Sequence, residues 1–168
     1  MQIVNGAARP TASGVSHLPG KVSSLTGADR ASWHTDIPTF AKVRYANVYP
    51  GIDLVYYGNQ RALEYDFVVA PRRNPSQIAL KFTGAKRLTI GKSGDLGVAL
   101  EGGSVRLQKP VIYQQIHGKR RNVDGRFVLK GRDSVGFVVA RYDRNKPLVI
   151  DPVLSYSTYL GGSAADMA

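Results

Sequence analysis

Apolar side chains at every second position constrain the fold of this chain more than any other feature of its sequence. In residues 63–69, for example, the odd-numbered positions are apolar or aromatic, whereas the even-numbered ones are Glu64, Asp66 and Val68. Successive side chains of a β-strand point to opposite faces, so this alternation gives one buried and one solvated face. Similar short runs recur from about residue 41 to residue 150, separated by turn residues. The pattern predicts an all-β fold of antiparallel strands.

Turn-favouring Gly, Asn, Asp and Pro residues lie between the predicted strands. We predict strands over residues 41–45, 52–57, 63–69, 78–82, 86–90, 95–100, 104–107, 111–117, 125–130, 134–142 and 147–150. The segment 58–61, Gly-Asn-Gln-Arg, predicts a β-hairpin between the second and third of these strands, and residues 118–124 are predicted to be a loop. No stretch longer than ten residues carries the apolar spacing of an amphipathic helix. We therefore predict an antiparallel β-sandwich or meander with almost no helix.

The two ends of the chain differ from this central pattern. Residues 1–38 are rich in Gly, Ser, Thr, Ala and Pro and show no sustained period, which predicts an irregular N-terminal arm with one short strand near its start. Trp33 is expected to anchor this arm on the sheet, because burial of so large a ring is strongly favourable. Residues 39–152 are predicted to form the β-rich domain, and residues 153–168 a linker and the start of another unit.

The sequence lacks the residues that several kinds of catalytic and metal-binding site require. With no cysteine in 168 residues, disulfides, thiolate metal sites and cysteine nucleophiles are excluded. The three histidines are far apart, and no Gly-x-Ser-x-Gly motif occurs. No apolar run approaches the ~20 residues of a membrane helix, and the first twenty residues lack the pattern of a signal peptide. We predict no catalytic residue, no metal site, no cofactor and no membrane span.

Four motifs carry a resemblance to a known family. They are PTFAKVRY at 38–45, VYPGIDLVYYGN at 48–59, LEYDFVVAP at 63–71 and PLVIDP at 147–152. Together they resemble the uncharacterised β-rich domain that precedes SBBP repeats, of the seven-bladed β-propeller type, in bacterial surface and secreted proteins. YSTYLGGS at 156–163 is similar to the opening of the first such repeat. The resemblance implies an extracellular or cell-surface location and a C-terminal β-propeller as partner. It also implies that this chain is truncated at both ends, and it supplies no catalytic residues.

Carboxylates on one predicted strand allow two further hypotheses. Glu64 and Asp66 would project from one face roughly 6–7 Å apart, a separation compatible with glycoside hydrolysis. Asp53 on the partner strand could complete an acidic trio for a cation such as Ca²⁺. Alternating acids are ordinary on the wet face of a hairpin, so we do not favour either hypothesis.

Basic and aromatic residues suggest binding instead. The chain carries 23 Lys and Arg against 12 Asp and Glu, a net charge of +11. Lys119, Arg120 and Arg121 begin a cationic stretch that could attract an anionic glycan, the cell envelope or, less favourably, nucleic acid. Tyr56 and Tyr57 should point to opposite faces, so one of them could stack on a sugar. These five residues are the candidate ligand-binding set.

The function expected from these observations is a non-catalytic extracellular structural or interaction module that precedes a β-propeller and contributes to adhesion or surface assembly. A carbohydrate-binding module is the first alternative. A glycoside hydrolase and a nucleic-acid binder are the less favoured ones.

Overall fold

The computed structural model describes residues 1–59, 62–152 and 154–155, which form fifteen strands. The strands are β1 (Gln2–Ile3), β2 (Thr11–Ser24), β3 (His34–Tyr49), β4 (Ile52–Asn59), β5 (Ala62–Val69), β6 (Ala79–Lys81), β7 (Arg87–Ile90), β8 (Leu96–Leu100), β9 (Gly103–Leu107), β10 (Val111–Ile116), β11 (Lys119–Val123), β12 (Gly125–Leu129), β13 (Ser134–Val139), β14 (Leu148–Asp151) and β15 (Leu154–Ser155). Two single turns of 3-10 helix lie at Arg30–Ser32 and Pro75–Gln77. The described residues contain no helix of seven or more residues.

The strands are antiparallel and form three sheets. The largest sheet has seven strands in the order β11-β10-β14-β5-β4-β3-β2. A four-stranded sheet has the order β1-β6-β13-β12, and a second four-stranded sheet has the order β15-β9-β8-β7. The all-β, antiparallel fold predicted from the alternation is therefore confirmed.

The core lies between the seven-stranded sheet and the sheet that contains β13. Phe67 of β5 faces Phe137 of β13, with ring centroids 6.1 Å apart, and Phe137 contacts Phe127 at 5.4 Å. All three rings are at most 1% exposed. The third sheet adds four apolar residues to the same core, namely Leu88, Leu96, Val98 and Leu107. This face-to-face packing of alternating inward residues gives the molecule its sandwich-like layers.

The predicted hairpin between β4 and β5 is present. Its register runs without a shift from Ile52 opposite Val69 to Asn59 opposite Ala62. Residues 60 and 61, which connect the two strands, lie outside the described residues. In β5, Tyr65 and Phe67 are buried on one side, while Asp66 lies on the other, as the alternation predicts.

The irregular backbone expected for residues 1–38 is wrong. Thr11–Ser24 forms the long strand β2, and β3 begins at His34 and runs on through residue 38 to Tyr49. The two strands pair with each other, and every residue of β2 is exposed. A strand whose two faces are both exposed to solvent does not require apolar residues at every second position. Its sequence therefore lacks the alternation that predicts a strand.

Two further local expectations need correction. Residues 119–123, expected in a loop, form the edge strand β11, in which four of the five residues are exposed. An edge strand rich in cations buries too little to show alternation, and such charges protect its open edge. Trp33 is partly buried, but its indole N–H donates to the carbonyl of Gly27 at 3.1 Å and Arg30 lies over its ring. These contacts close the turn between β2 and β3 and involve no other part of the sheet.

The division of the chain at residues 39 and 152 stays a prediction. At the C-terminal side, β15 pairs with β9 through Leu154 and Leu107. The motif at 156–163 that resembles a propeller repeat lies outside the described residues. Among the described residues, no helix is long and apolar enough to cross a membrane.

Candidate functional site

The seven-stranded sheet packs one face on the core and leaves a polar cluster on the other, which we call the outer face. The register places Lys42, Tyr57 and Glu64 side by side across β3, β4 and β5. It places Tyr113 of β10 opposite Val149 of β14, on the same side as Val68 of β5. The polar cluster of the outer face comprises Lys42, Tyr57, Glu64, Asp66, Tyr113, Arg120 and Asp151. Six neighbouring strands, from β11 to β3 in the sheet order, therefore contribute a residue to this cluster.

Asp66 lies at the centre of this cluster. The hydroxyl of Tyr57 donates to its Oδ1 at 3.1 Å. Burial, followed by repulsion from Asp151, raises the pKa of Asp66 to about 6. Burial and then the charge of Glu64 raise the pKa of Asp151 as well. On the outer face, each of these two carboxyl groups is therefore harder to ionise, because it is partly buried and lies near another carboxylate.

Cations cover the two aromatic rings of the outer face. The Nζ of Lys42 lies 4.9 Å from the centroid of the Tyr57 ring. The guanidinium carbon of Arg120 lies 3.7 Å from the centroid of the Tyr113 ring. Both are cation–π contacts. A sugar ring could stack on either tyrosine only after the cation had moved away.

Asp53 does not join Glu64 and Asp66. Its Oδ2 accepts from Nη2 of Arg44 at 2.6 Å, and its Oδ1 accepts from the backbone N–H of Asn47 at 2.8 Å. Asn47 has a positive φ of 52° at the point where the β3–β4 register shifts. Asp53 therefore stabilises this bulge. Among the described residues, no group of three acidic or histidine side chains is arranged to hold a metal ion.

Tyr56 points to the opposite face from Tyr57, as predicted. Its ring packs against Tyr45 at 5.9 Å and Tyr65 at 5.8 Å, between centroids. It also lines an open apolar groove of about 480 Å³ whose more exposed walls are Val43 and Leu63. The structure therefore separates the two tyrosines of the candidate set.

The three basic residues of the candidate set are also separated. Arg120 lies opposite Gln115 and covers Tyr113, whereas Arg121 lies opposite Gln114 on the other side of β11. Lys119 is exposed at the start of the strand. Arg121 lines a cleft of about 420 Å³ together with Arg141.

Two residues that lie close to the loop at 141–147 were not identified from the sequence. Arg72 is far from the cationic stretch in sequence, yet its N–H donates to the carbonyl of Arg144 at 2.7 Å. Gln114 is 2% exposed, and its Nε2 lies within 3.2 Å of three carbonyl oxygens, those of Asp143, Lys146 and Pro147. No sequence signal distinguishes Gln114 from its exposed neighbour Gln115.

Comparison with protein-family models matches residues 1–153 to a family described as a domain of unknown function (DUF7948). That description states no activity. Neither the comparison with curated proteins nor the comparison with solved structures found a significant match.

Proposed function

Because the chain belongs to the family described as a domain of unknown function (DUF7948), we propose its function from its geometry: it is a non-catalytic, extracellular structural or interaction module that precedes a β-propeller. The observation that carries the proposal is the distal part of the β2–β3 hairpin. We call residues 16–24 of β2 and 34–41 of β3 the ribbon. Among the described residues, pairing between β3 and β4 runs from Lys42 to Tyr49, so the ribbon lies beyond that pairing.

The ribbon exposes apolar side chains. Val22 is 53% exposed, Leu18 41%, Phe40 40% and Ile37 37%. A two-stranded hairpin is at best marginally stable in water without a third strand or a packed face. Val22 and Ile37 lie opposite each other in the register and form an exposed apolar pair, a feature that commonly marks an interaction surface. These properties favour a partner that covers the ribbon.

Specific contacts within the ribbon give it a defined shape before any partner binds. Thr39 Oγ1 donates to the carbonyl of Gly20 at 2.5 Å, and Lys21 pairs with Asp36 at 3.2 Å. The rings of His17 and Phe40 pack edge to face at 5.2 Å. A surface already held in its binding shape loses less entropy on association.

The remaining parts of the proposal have separate support. The non-catalytic role is supported by the polar contacts of the outer face, where Asp66 accepts from Tyr57 and cations cover both rings. The extracellular setting, the adhesive role and the propeller as partner are supported by the resemblance of residues 38–71 and 147–152 to the domain that precedes SBBP repeats.

Hydrogen exchange tests this proposal. Amides in the ribbon would be compared between the 168-residue chain and a longer protein that includes the sequence encoded after Ala168. We expect at least about a tenfold gain in protection in the longer protein, since a covered ribbon must open before it exchanges. Amides of β12 and β13 serve as the internal control and should not change. Equal ribbon protection in both proteins would remove the propeller as the partner.

Carbohydrate binding is the second candidate function. It is favoured by one observation outside the ribbon, the cleft between Arg121 and Arg141.

A further inference from the structure

Cations from three segments converge at one end of the sandwich. The turn at 71–73 joins the loop at 141–147, because Nη2 of Arg144 donates to the carbonyl of Arg72 at 3.4 Å and Nε of Arg72 donates to Oδ1 of Asn145 at 3.3 Å. The amide of Gln114 fixes the same loop to β10, next to β11. The cations that these contacts and the cleft lining bring together are Arg72, Arg121, Arg141 and Arg144.

This group, which we call the basic end, has one carboxylate beside its cations, that of Asp143. The ion pairs between described residues involve Lys21, Arg44, Lys81, Lys86, Arg106 and Lys109 and no member of the basic end. The acid within the loop is Asp143, whose Oδ1 accepts from the N–H of Asn145 at 2.9 Å. The cations of the basic end outnumber this carboxylate, and a surplus of guanidinium groups in one region attracts anions from solution.

The cleft between Arg121 and Arg141 gives this charge a definite shape. Asn122, Asp143, Tyr142 and Gln114 also line it, and its volume is about 420 Å³. Small-molecule sites span roughly 300–1,000 Å³, so one sugar ring can enter. Gln114 is satisfied by backbone partners and acts as a support. Arg121, Arg141 and Asn122 are exposed and can contact a ligand.

We propose that this cleft binds an acidic sugar residue of an anionic polysaccharide. The planar fork of each guanidinium matches the two oxygens of a carboxylate or sulfate group. Asn122 and the carboxylate of Asp143 are placed to exchange hydrogen bonds with sugar hydroxyls. The other arginines of the basic end would contact charged groups on neighbouring sugars.

A polysaccharide suits the cleft better than a nucleic acid. Single-stranded nucleic acids are held by stacking of their bases on aromatic side chains. Tyr142, the aromatic residue among those that line the cleft, is partly buried, and its hydroxyl donates to the carbonyl of Arg73 at 3.4 Å. The inference develops the carbohydrate-binding candidate and does not depend on the ribbon.

Calorimetric titration of the 168-residue chain would test the site with four probes: oligogalacturonate for carboxylates, heparin oligosaccharides for sulfates, neutral dextran and single-stranded DNA. We expect binding of at least one acidic saccharide and none of dextran. The double variant Arg121→Gln/Arg141→Gln should weaken that binding by about tenfold or more, which is about 1.4 kcal/mol.

The matched control is Arg87→Gln/Arg132→Gln, which removes the same charge from exposed positions on β7 and on the turn before β13. It should weaken binding by less than about threefold. If the two double variants lost the same affinity for the acidic saccharide, the binding would depend only on net charge, and the proposed site would be wrong. Absence of binding to both acidic saccharides would overturn it too, and tighter binding of DNA with the same loss at Arg121 and Arg141 would assign the cleft to nucleic acid. None of these results alters the hydrogen-exchange test of the ribbon.

Discussion

Tyr49 of the seven-stranded sheet bonds directly to Ala79 of the facing sheet, since its hydroxyl oxygen accepts from the Ala79 backbone N–H at 3.1 Å. The same hydroxyl donates to the carbonyl of Val4 at 2.7 Å. Val4 follows β1, and its own N–H donates to the carbonyl of Ala79 at 2.9 Å. One side chain therefore links two sheets and the first strand of the chain.

Replacement of Tyr49 by Phe should lower the free energy of unfolding by about 1–3 kcal/mol, because it leaves a partly buried carbonyl and N–H without their partner. Urea unfolding would measure the loss. Tyr142→Phe is the control, since its hydroxyl makes a longer bond of 3.4 Å and should cost less than about 1 kcal/mol. Equal losses in the two variants would contradict the bridging role of Tyr49.

The pKa of Asp66 predicts how stability depends on pH. Its pKa rises from the ordinary 3.8 to about 6 in the folded protein, so the folded state binds this proton more tightly than the unfolded chain does. Stability should therefore fall as pH rises from about 4 to about 6. Because the outer face is partly solvated, we expect the loss from Asp66 to be about 1–2 kcal/mol. Thermal unfolding at a series of pH values would show it.

Asp66→Asn isolates this effect, since the amide oxygen can still accept from Tyr57 and cannot ionise. We expect the variant to be more stable than the parent at pH 7 and to lose most of the pH dependence between about 4 and 6. Asp133→Asn is the control. Its pKa is lowered, chiefly by hydrogen bonds from Lys81 and Ser134, so its contribution is lost only at more acidic pH. If the stability of Asp66→Asn fell with rising pH as steeply as that of the parent, this account would be contradicted.

Gln114 should matter for stability far more than its neighbour Gln115. Replacement by Leu removes the donor near three loop carbonyls and the acceptor of the Asp143 N–H. We expect a loss of about 2–3 kcal/mol in the free energy of unfolding. Gln115→Leu, at an exposed position of the same strand, should change it by less than about 0.5 kcal/mol. Chemical denaturation of the two variants would compare them directly.

The sequence predicted those elements that bury one face and keep the other wet. The strand at 63–69 alternates at residues 64–67 because Tyr65 and Phe67 enter the core while Asp66 does not. The strands β2 and β11 were not predicted, because exposed residues need not alternate between apolar and polar types.

The candidate sites depended on contacts between distant segments, which periodicity does not encode. The basic end joins Arg72 with Arg144, which sequence spacing gives no reason to connect, and it places Arg121 and Arg141 of one cationic stretch on the same cleft. The outer face similarly gathers Asp66 and Asp151 from β5 and β14, which are neighbours only through strand order. Residue type and alternation predicted the face that Asp66 occupies, but not its neighbours.

The packing of the two sheets predicts a large difference between adjacent residues of β13. Phe137 is 1% exposed and contacts both Phe67 and Phe127, whereas Val138 is 43% exposed. Phe137→Ala should cost about 3–5 kcal/mol, because it removes a buried ring and leaves a cavity between the sheets. Val138→Ala should cost less than about 1 kcal/mol. Urea unfolding midpoints, interpreted with a common slope, would compare the two variants, and similar midpoints would mean that β13 and β5 do not face each other across the core.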